Sequence, residues 1–513
     1  MLSAFTACPG LFYTTPAQDG ILSRLRIPGG ILSSQQFHAI ANIADNYGGG
    51  YVDVTNRANL QIREIKQKIN IEVLKSLQNL GLAATNPAVD HIRNIMISPT
   101  AGIDKQELID TRPFVKAWDE YMITNPHLGQ LSAKFSVCFD GSGQLSVIHC
   151  PNDITFIPIL VDEGGREEPK FLPTGKWGHN LVYFILYLCG SEPGKPAKNT
   201  GIVLHPGECI PVLAALAEVY LQHTDPHSRR KPRLREVIHN LGWENYLQQV
   251  QEYLTLHKRH KCTELQHLNI NHHRINANAH HKNKKIYHLD IHQQKQLGLF
   301  YIGVVLPLGR LQSGQIRGLA DLAAKYGHGN LRLTPWQNLL ITDIPQQHIA
   351  EVQTEITHLG LGYSAINIKS GLVSCSGKQG CAAAATDTKS HALKLGEYLE
   401  TQITFDFPIN IHFTGCIKSC AQHHQGDITL LGVNIEAGNA TVERYQVYLA
   451  DDTLQLFGRQ IYENVTFAEL PQIMERMLKM YQIKRVSSQE SFREFANRYD
   501  ISELKQLFNV QSI

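Results

Sequence analysis

The pattern of apolar and polar positions along the chain occurs twice. Residues Ile21 to Ile27 read as a strand, Pro28-Gly29-Gly30 marks a turn, and Ser33 or Ser34 stands where a helix cap belongs. A helical period then runs to about Tyr47, where Gly48-Gly49-Gly50 stops it. The β-branched stretch from Tyr51 to Ile65 is expected to return as a strand. The same order restarts at Pro307. The offset of 307 − 28 = 279 holds without a gap to the pair Ile65 and Ile344, with 15 identities over those 38 positions. Two copies are too few for a solenoid, so the expected arrangement is a duplicated half that packs as a pseudo-dimer.

A mixed α/β stretch follows each copy. The two stretches echo each other faintly, Asn152-Asp153-Ile154-Thr155 against Gly426-Asp427-Ile428-Thr429. The expected fold class is α+β, duplicated twice over, ending in helical pattern from Phe467 to Phe508. Five segments follow: residues 1–88, 89–256, 257–292, 293–363 and 364–513. The middle one, rich in His, Asn and Lys, reads as a linker or exposed insertion. Its pairs His272-His273 and His280-His281 are either solvated loop or metal-binding groups.

Composition narrows the function. The 513 residues are 43% apolar, with 48 basic and 46 acidic side chains and a net charge of +2, so bulk charge gives no argument for nucleic acid or membrane binding. The most apolar run, Leu181 to Cys189, is far shorter than the roughly 20 residues that span a bilayer. The N-terminus lacks a basic segment followed by an apolar one, and a cytoplasmic protein is expected. Ten cysteines in such a chain point to metal or redox chemistry.

Four of them form two Gly-flanked pairs, Cys375-x5-Cys381 and Cys416-x3-Cys420. Glycine gives thiolate ligands backbone reach and N–H groups, and a four-Cys set with this spacing suits a [4Fe–4S] cluster better than structural zinc. The remaining six, Cys8 and Cys262 among them, read as packing residues. A basic set accompanies the cysteines. Thr55, Arg57, Asn59, Gln61 and Arg63 alternate along the first copy, as a solvent face or as the wall of a polar pocket. The second copy has Thr334, Trp336, Asn338, Leu340 and Thr342 there, so both charges are gone and the halves are specialised. Arg93 and Lys134 each stand beside a strand-like run, as surface ion pairs or as ligands. There is no Gly-x-Gly-x-x-Gly after a strand and no Walker loop, so electrons are expected from a partner.

These motifs together resemble the sulfite/nitrite reductase family over nearly the whole chain. The resemblance rests on Ile27-Pro28-Gly29-Gly30 through Asp53-Val54-Thr55-Asn56-Arg57-Ala58-Asn59-Leu60-Gln61, on Gln294-Lys295-Gln296, on Cys375 to Cys381 with Thr388-Lys389, and on Thr414-Gly415-Cys416 through Ser419-Cys420-Ala421-Gln422. It implies two ferredoxin-like reductase repeats, at residues 1–88 and 293–363. Residues 89–256 would then be a tetrapyrrole-binding domain and 364–513 a cluster-binding one. It further implies a [4Fe–4S] cluster on Cys375, Cys381, Cys416 and Cys420, the last bridging to sirohaem iron in the reductases. Arg57, Arg93 and Lys134 would hold ring carboxylates and protonate the bound oxyanion, with Gln61 in the cofactor set; guanidinium forks suit carboxylates. Sulfite reductases carry a second lysine where this chain has Ser136.

Within the family, Ala7-Cys8-Pro9-Gly10-Leu11-Phe12, Asp19 to Arg26 and Gly380 before Cys381 resemble precorrin-3B synthase. That likeness implies oxygen-dependent hydroxylation and lactone formation on precorrin-3A in cobalamin synthesis, with a non-haem iron beside the cluster. His412, His423 and His424 are candidate iron ligands by residue type alone. The alternative is a ferredoxin-dependent sirohaem nitrite or sulfite reductase, and a third reading is a tetrapyrrole-binding protein without turnover. The tetrapyrrole is substrate in one case and cofactor in another. The expected partners are ferredoxin or another reductase, and the expected state is a monomer.

Overall fold

The protein is described by a computed structural model over residues 10–161, 181–190, 197–228, 230–257, 288–437, 440–453 and 455–509. Four successive stretches each supply five strands. The first gives β1 (Thr15–Ala17), β2 (Gly20–Leu25), β3 (Ile31–Ser33), β4 (Tyr51–Val54) and β5 (Leu60–Ile65). The second gives β6 (Ile95–Ile97), β7 (Val137–Phe139), β8 (Ile154–Val161), β9 (Leu181–Leu188) and β10 (Lys198–Leu204). The third gives β11 (Asp290–Gln293), β12 (Leu299–Val304), β13 (Arg310–Gln312), β14 (Asn330–Leu333) and β15 (Leu339–Pro345). The last gives β16 (Leu372–Ser374), β17 (Ile411–Thr414), β18 (Ile428–Ala437), β19 (Ala440–Leu449) and β20 (Arg459–Val465).

The two repeats exchange strands. One sheet runs β1-β2-β5-β4-β13 and the other β11-β12-β15-β14-β3, so each repeat lends a short strand to its counterpart. Arg310 pairs with Asp53 in the first sheet, and Arg332 with Ile31 in the second. The exchange begins at matching turns. Gly30 and Gly309 both have φ of +70°, and a Cβ on Gly30 would meet the Leu333 carbonyl oxygen at 2.9 Å, one on Gly309 that of Val54 at 3.0 Å. A left-handed backbone pressed against a neighbouring strand favours glycine. Each lent strand leads into a helix, Ser34–Tyr47 or Ser313–Tyr326. Gln36 and Gln315 each accept the cap residue's N–H, at 2.8 and 3.0 Å. Buried residues of both repeats, among them Phe37, Ile40, Ile316 and Leu319, form one shared apolar core. The pseudo-dimer is therefore a single packed unit, and the α+β class with duplicated ferredoxin-like halves holds.

Each α/β stretch forms its own sheet and core. The orders are β10-β9-β8-β7-β6 and β16-β17-β18-β19-β20. In both, three strands pair in parallel (β6, β7, β8; β16, β17, β18) and two more join by antiparallel pairing, so that only β9 and β19 run in the reverse direction. The echo in sequence falls at the start of β8 and β18. Asp153 accepts the Ser136 N–H at 3.1 Å and Asp427 that of Asn410 at 2.8 Å.

Two expectations change. Tyr51 to Ile65 is a hairpin, not one strand: Val54 pairs with Leu60, and Thr55 N–H donates to the Asn59 carbonyl at 2.9 Å. Ala58 takes φ of +50° at the turn, a conformation uncommon outside glycine, which hid it from sequence reading. The continuous face from Thr55 to Arg63 therefore does not exist, and Arg57 rides on a turn. At the end of the expected linker, β11 begins at Asp290. The pairs His272-His273 and His280-His281, with Cys8 and Cys262, lie outside the described residues.

Candidate active site

Both cysteine pairs follow the carboxyl ends of adjacent parallel strands, where open α/β sheets gather ligands. Cys375 leaves β16 directly, and its N–H donates to the Phe413 carbonyl of β17 at 3.2 Å. One helical turn, Gly377–Gly380, brings the chain to Cys381, whose N–H donates to the Gly377 carbonyl at 2.9 Å. β17 ends at Thr414, and the next N–H, that of Gly415, points at Cys375 Sγ at 3.3 Å. Thr388 Oγ1 lies 3.4 Å from the same sulfur.

The four thiols form one group. Burial raises the Cys420 pKa, and Cys416, Cys375 and Cys381 raise it further, so all three lie within electrostatic range of it. No three His, Cys, Asp or Glu side chains among the described residues converge on a position for one metal ion. Two cysteine loops and N–H donation to sulfur are what an iron–sulfur cluster uses, so the residues fit that group.

The first repeat faces this group. Asn56 at its hairpin turn donates Nδ2 to the Cys420 carbonyl at 3.0 Å, and Arg63 on β5 donates to the Gly380 carbonyl at 2.8 Å. Arg57, the residue after Asn56, reaches toward the first α/β sheet and donates to Asn152 Oδ1 at 2.7 Å, just ahead of β8. Burial lowers the Arg57 pKa, partly offset by Asp153. That carboxylate is already engaged by Ser136 and by Arg233, at 3.1 Å each. His423 is pulled down to about 4 by burial, with Arg57 and Arg233 adding to the effect. Arg233 is thus ion-paired with Asp153, and Arg57 lies within electrostatic range of the same carboxylate. A half-buried Arg57 whose guanidinium hydrogen-bonds a neutral amide fits a ligand carboxylate.

The other expected residues stand elsewhere in this arrangement. Arg93 is buried, its fork filled by Asp119 at 2.7 and 2.9 Å, with Asp90 at 3.9 Å. Its link to the hairpin runs through Asn94, whose Oδ1 accepts from Asn59 Nδ2 at 3.3 Å. Lys134 is exposed and makes no ion pair among the described residues. Gln61 accepts from Arg63 Nη1 at 3.2 Å. His412 is fully buried with neither ring nitrogen bonded, and burial pulls it to about 3. With His423 and His424 it makes no mononuclear iron site among the described residues. Sequence reading missed the roles of Arg233 and Asn56, and nothing local marks Arg233 as a neighbour of residues near position 420.

The family models match stretches of the chain that do not contain the four cysteines. The model described as nitrite and sulphite reductase 4Fe-4S domain matches residues 88–258. The nitrite/sulfite reductase ferredoxin-like half domain matches twice, at 15–80 and 292–359. The chain belongs to the nitrite and sulfite reductase family and is an oxidoreductase of it. It is 29% identical over 476 residues to the ferredoxin–nitrite reductase of Synechococcus elongatus, covering 91% of this chain and 88% of that one. It is 30% identical over 434 residues to the chloroplastic ferredoxin–nitrite reductase of Spinacia oleracea, covering 82% and 68%. The structure of the Mycobacterium tuberculosis NirA protein aligns with a TM-score of 0.74 at 25% identity, covering 94% of this chain and 84% of that one. These matches overturn the expectation of a precorrin-3B synthase: the similar proteins are nitrite reductases, and a non-haem iron has no support. That expectation rested on a few short runs, Asp19 to Arg26 and Gly380 among them, whereas the matches extend over both halves. No helix among the described residues is long and apolar enough to cross a membrane.

Proposed function

We propose that the protein is a ferredoxin-dependent nitrite reductase with a [4Fe–4S] cluster and sirohaem. The observation that carries this reading is the group of four thiols at the ends of β16 and β17 with Arg57 set against it from the other half. Cys375, Cys381, Cys416 and Cys420 would hold the cluster. Arg57, with Arg233 near it, would take ring carboxylates, because a polycarboxylate suits two neighbouring cations of which only Arg233 is paired with Asp153. Sirohaem, when bound, supplies the iron at which an oxyanion is reduced with electrons from the cluster. Lys134 is an exposed ammonium that would meet an anion, while Arg93 is held by Asp119 and would brace the wall.

Nitrite is favoured over sulfite by Ser136. Where sulfite reductases carry a second lysine, this side chain is fully buried and donates to Asp153 at 3.1 Å, so it offers no cation to a dianionic substrate. The test is turnover with chemically reduced ferredoxin under anaerobic conditions. Nitrite loss matched by ammonium formation, faster than sulfide formation from sulfite, is expected. Faster sulfite turnover would reverse the substrate assignment, and turnover of neither would remove the reductase reading. The domain assignment made from sequence belongs to the same proposal: residues 89–256 line the tetrapyrrole and 364–513 carry the cluster.

A further inference from the structure

We propose that Arg63 is a positioning residue that clamps the first cysteine loop from the opposite repeat, setting the retention and potential of the cluster. This rests on the cluster-ligand reading above and goes beyond it. Arg63 comes from β5, yet it bonds at both ends of the Cys375–Cys381 loop. Nη1 donates to Ser376 Oγ at 3.3 Å, next to Cys375, and Nη2 to the Gly380 carbonyl at 2.8 Å, next to Cys381. Asp19 fixes the guanidinium through Nε at 2.6 Å and Nη2 at 3.0 Å, and the arginine side chain is only 3% exposed. A buried arginine held by a two-pronged carboxylate has little rotamer freedom left, so its remaining donors define where the loop lies.

Two further observations make this more than a domain contact. A Cβ on Gly380 would come 2.5 Å from Arg63 Nη2, so the loop approaches the guanidinium as closely as only glycine permits. The matching position in the second repeat, 63 + 279 = 342, is Thr342, whose hydroxyl donates to the adjacent Asp343 at 2.9 Å. The second repeat holds the cysteine-free loop after β6 from a different strand, Arg332 of β14 donating to the Pro99 and Ala101 carbonyls at 2.9 and 2.6 Å, so only the first repeat sets a guanidinium at this position, against a cysteine loop.

The test uses the full-length protein reconstituted with iron and sulfide, in wild-type, Arg63→Ala and Gly380→Ala forms. Iron release to a chelator and the cluster's midpoint potential are measured, with no substrate present. Both variants are expected to lose iron about tenfold faster, the size of one lost charge-assisted hydrogen bond. Arg63→Ala should also shift the potential to more negative values, because removing a nearby cation destabilises the reduced cluster. Wild-type release rates and potential in Arg63→Ala overturn the clamp. If that variant does not fold, Gly380→Ala decides alone, since its methyl pushes the guanidinium off the loop while both partners of the Asp19–Arg63 ion pair are retained. A wild-type protein that holds no cluster would instead refute the ligand set itself.

Discussion

The hairpin of the first repeat and that of the second share a backbone plan and differ in what they reach. Both turns are closed by a threonine–asparagine pair. Asn59 Oδ1 accepts the Ile27 N–H at 2.7 Å, and Asn338 Oδ1 accepts that of Leu306 at 3.0 Å. Ala58 and Gln337 take the same left-handed turn, at φ of 50° and 59°. The tips then diverge. Asn56 and Arg57 reach the second cysteine loop and the first α/β sheet, whereas Trp336 stacks on His288 at 4.6 Å beside buried Cys138 and Met96. The α/β halves differ in the same way: the loops after β16 and β17 carry four thiols, and the loops after β6 and β7 carry one, Cys150, with Ser98, Thr100, Asp104 and Asp140 bonded among themselves and to nearby backbone. The scaffold is present on both sides, and the four-thiol group forms on one, where loops of the second half meet a turn of the first.

The sharpest way to break this comparison is to remove a thiol on each side. Cys416→Ser should abolish the cluster, while Cys209→Ser, a buried thiol of the other α/β half, should keep full iron content. Iron and sulfide analysis decides, and a complete cluster in Cys416→Ser would refute the assignment. Next in size is the divergence at the tips. Arg57→Ala should weaken tetrapyrrole binding by about 10- to 100-fold, from the loss of charge-assisted bonds, without loss of the cluster. Trp336→Ala should cost about 1–3 kcal/mol of stability through lost packing and leave the affinity nearly unchanged. Equal losses of affinity, by spectral titration, would mean the tips are not specialised.

The shared part of the plan predicts a matched pair. Asn59→Ala and Asn338→Ala each strand a buried N–H and should each cost about 1–3 kcal/mol, read by denaturant unfolding. A large difference between them would show that one turn is braced from outside. The smallest effect concerns Asp53, which has Arg332 at its counterpart position. Burial would raise the Asp53 carboxyl, but Lys389 and Arg310, at 3.1 and 2.9 Å, outweigh it and hold it below its usual value. A carboxyl lowered on folding contributes stability that is complete above its unfolded pKa of about 4 and is lost as pH falls through its folded value. Wild type should therefore lose more thermal stability than Asp53→Asn as pH drops below about 4. Parallel pH profiles would contradict this.

Much of the scaffold was legible because its signals are local. Pro-Gly turns, helix caps and the Thr–Asn closure recur at a fixed offset, and the cysteine pairs lie within short loops. The hairpin was missed because Ala58 adopts a conformation that its residue type does not advertise. The exchange of β3 and β13 was invisible because strand pairing between distant segments leaves no mark in either one. Arg63 looked like one member of a polar face, since its partners Gly380 and Ser376 lie in the other half of the chain. The choice between synthase and reductase could not be made from Arg57 and its neighbours, because a ring carboxylate looks the same on a substrate as on a cofactor.

That choice makes the visible spectrum of the anaerobically purified protein the most direct test of the account. Sirohaem bands superimposed on iron–sulfur absorption, with the sirohaem bands perturbed by added nitrite, are predicted. Iron–sulfur absorption alone, in protein whose four thiols are fully loaded, would contradict it.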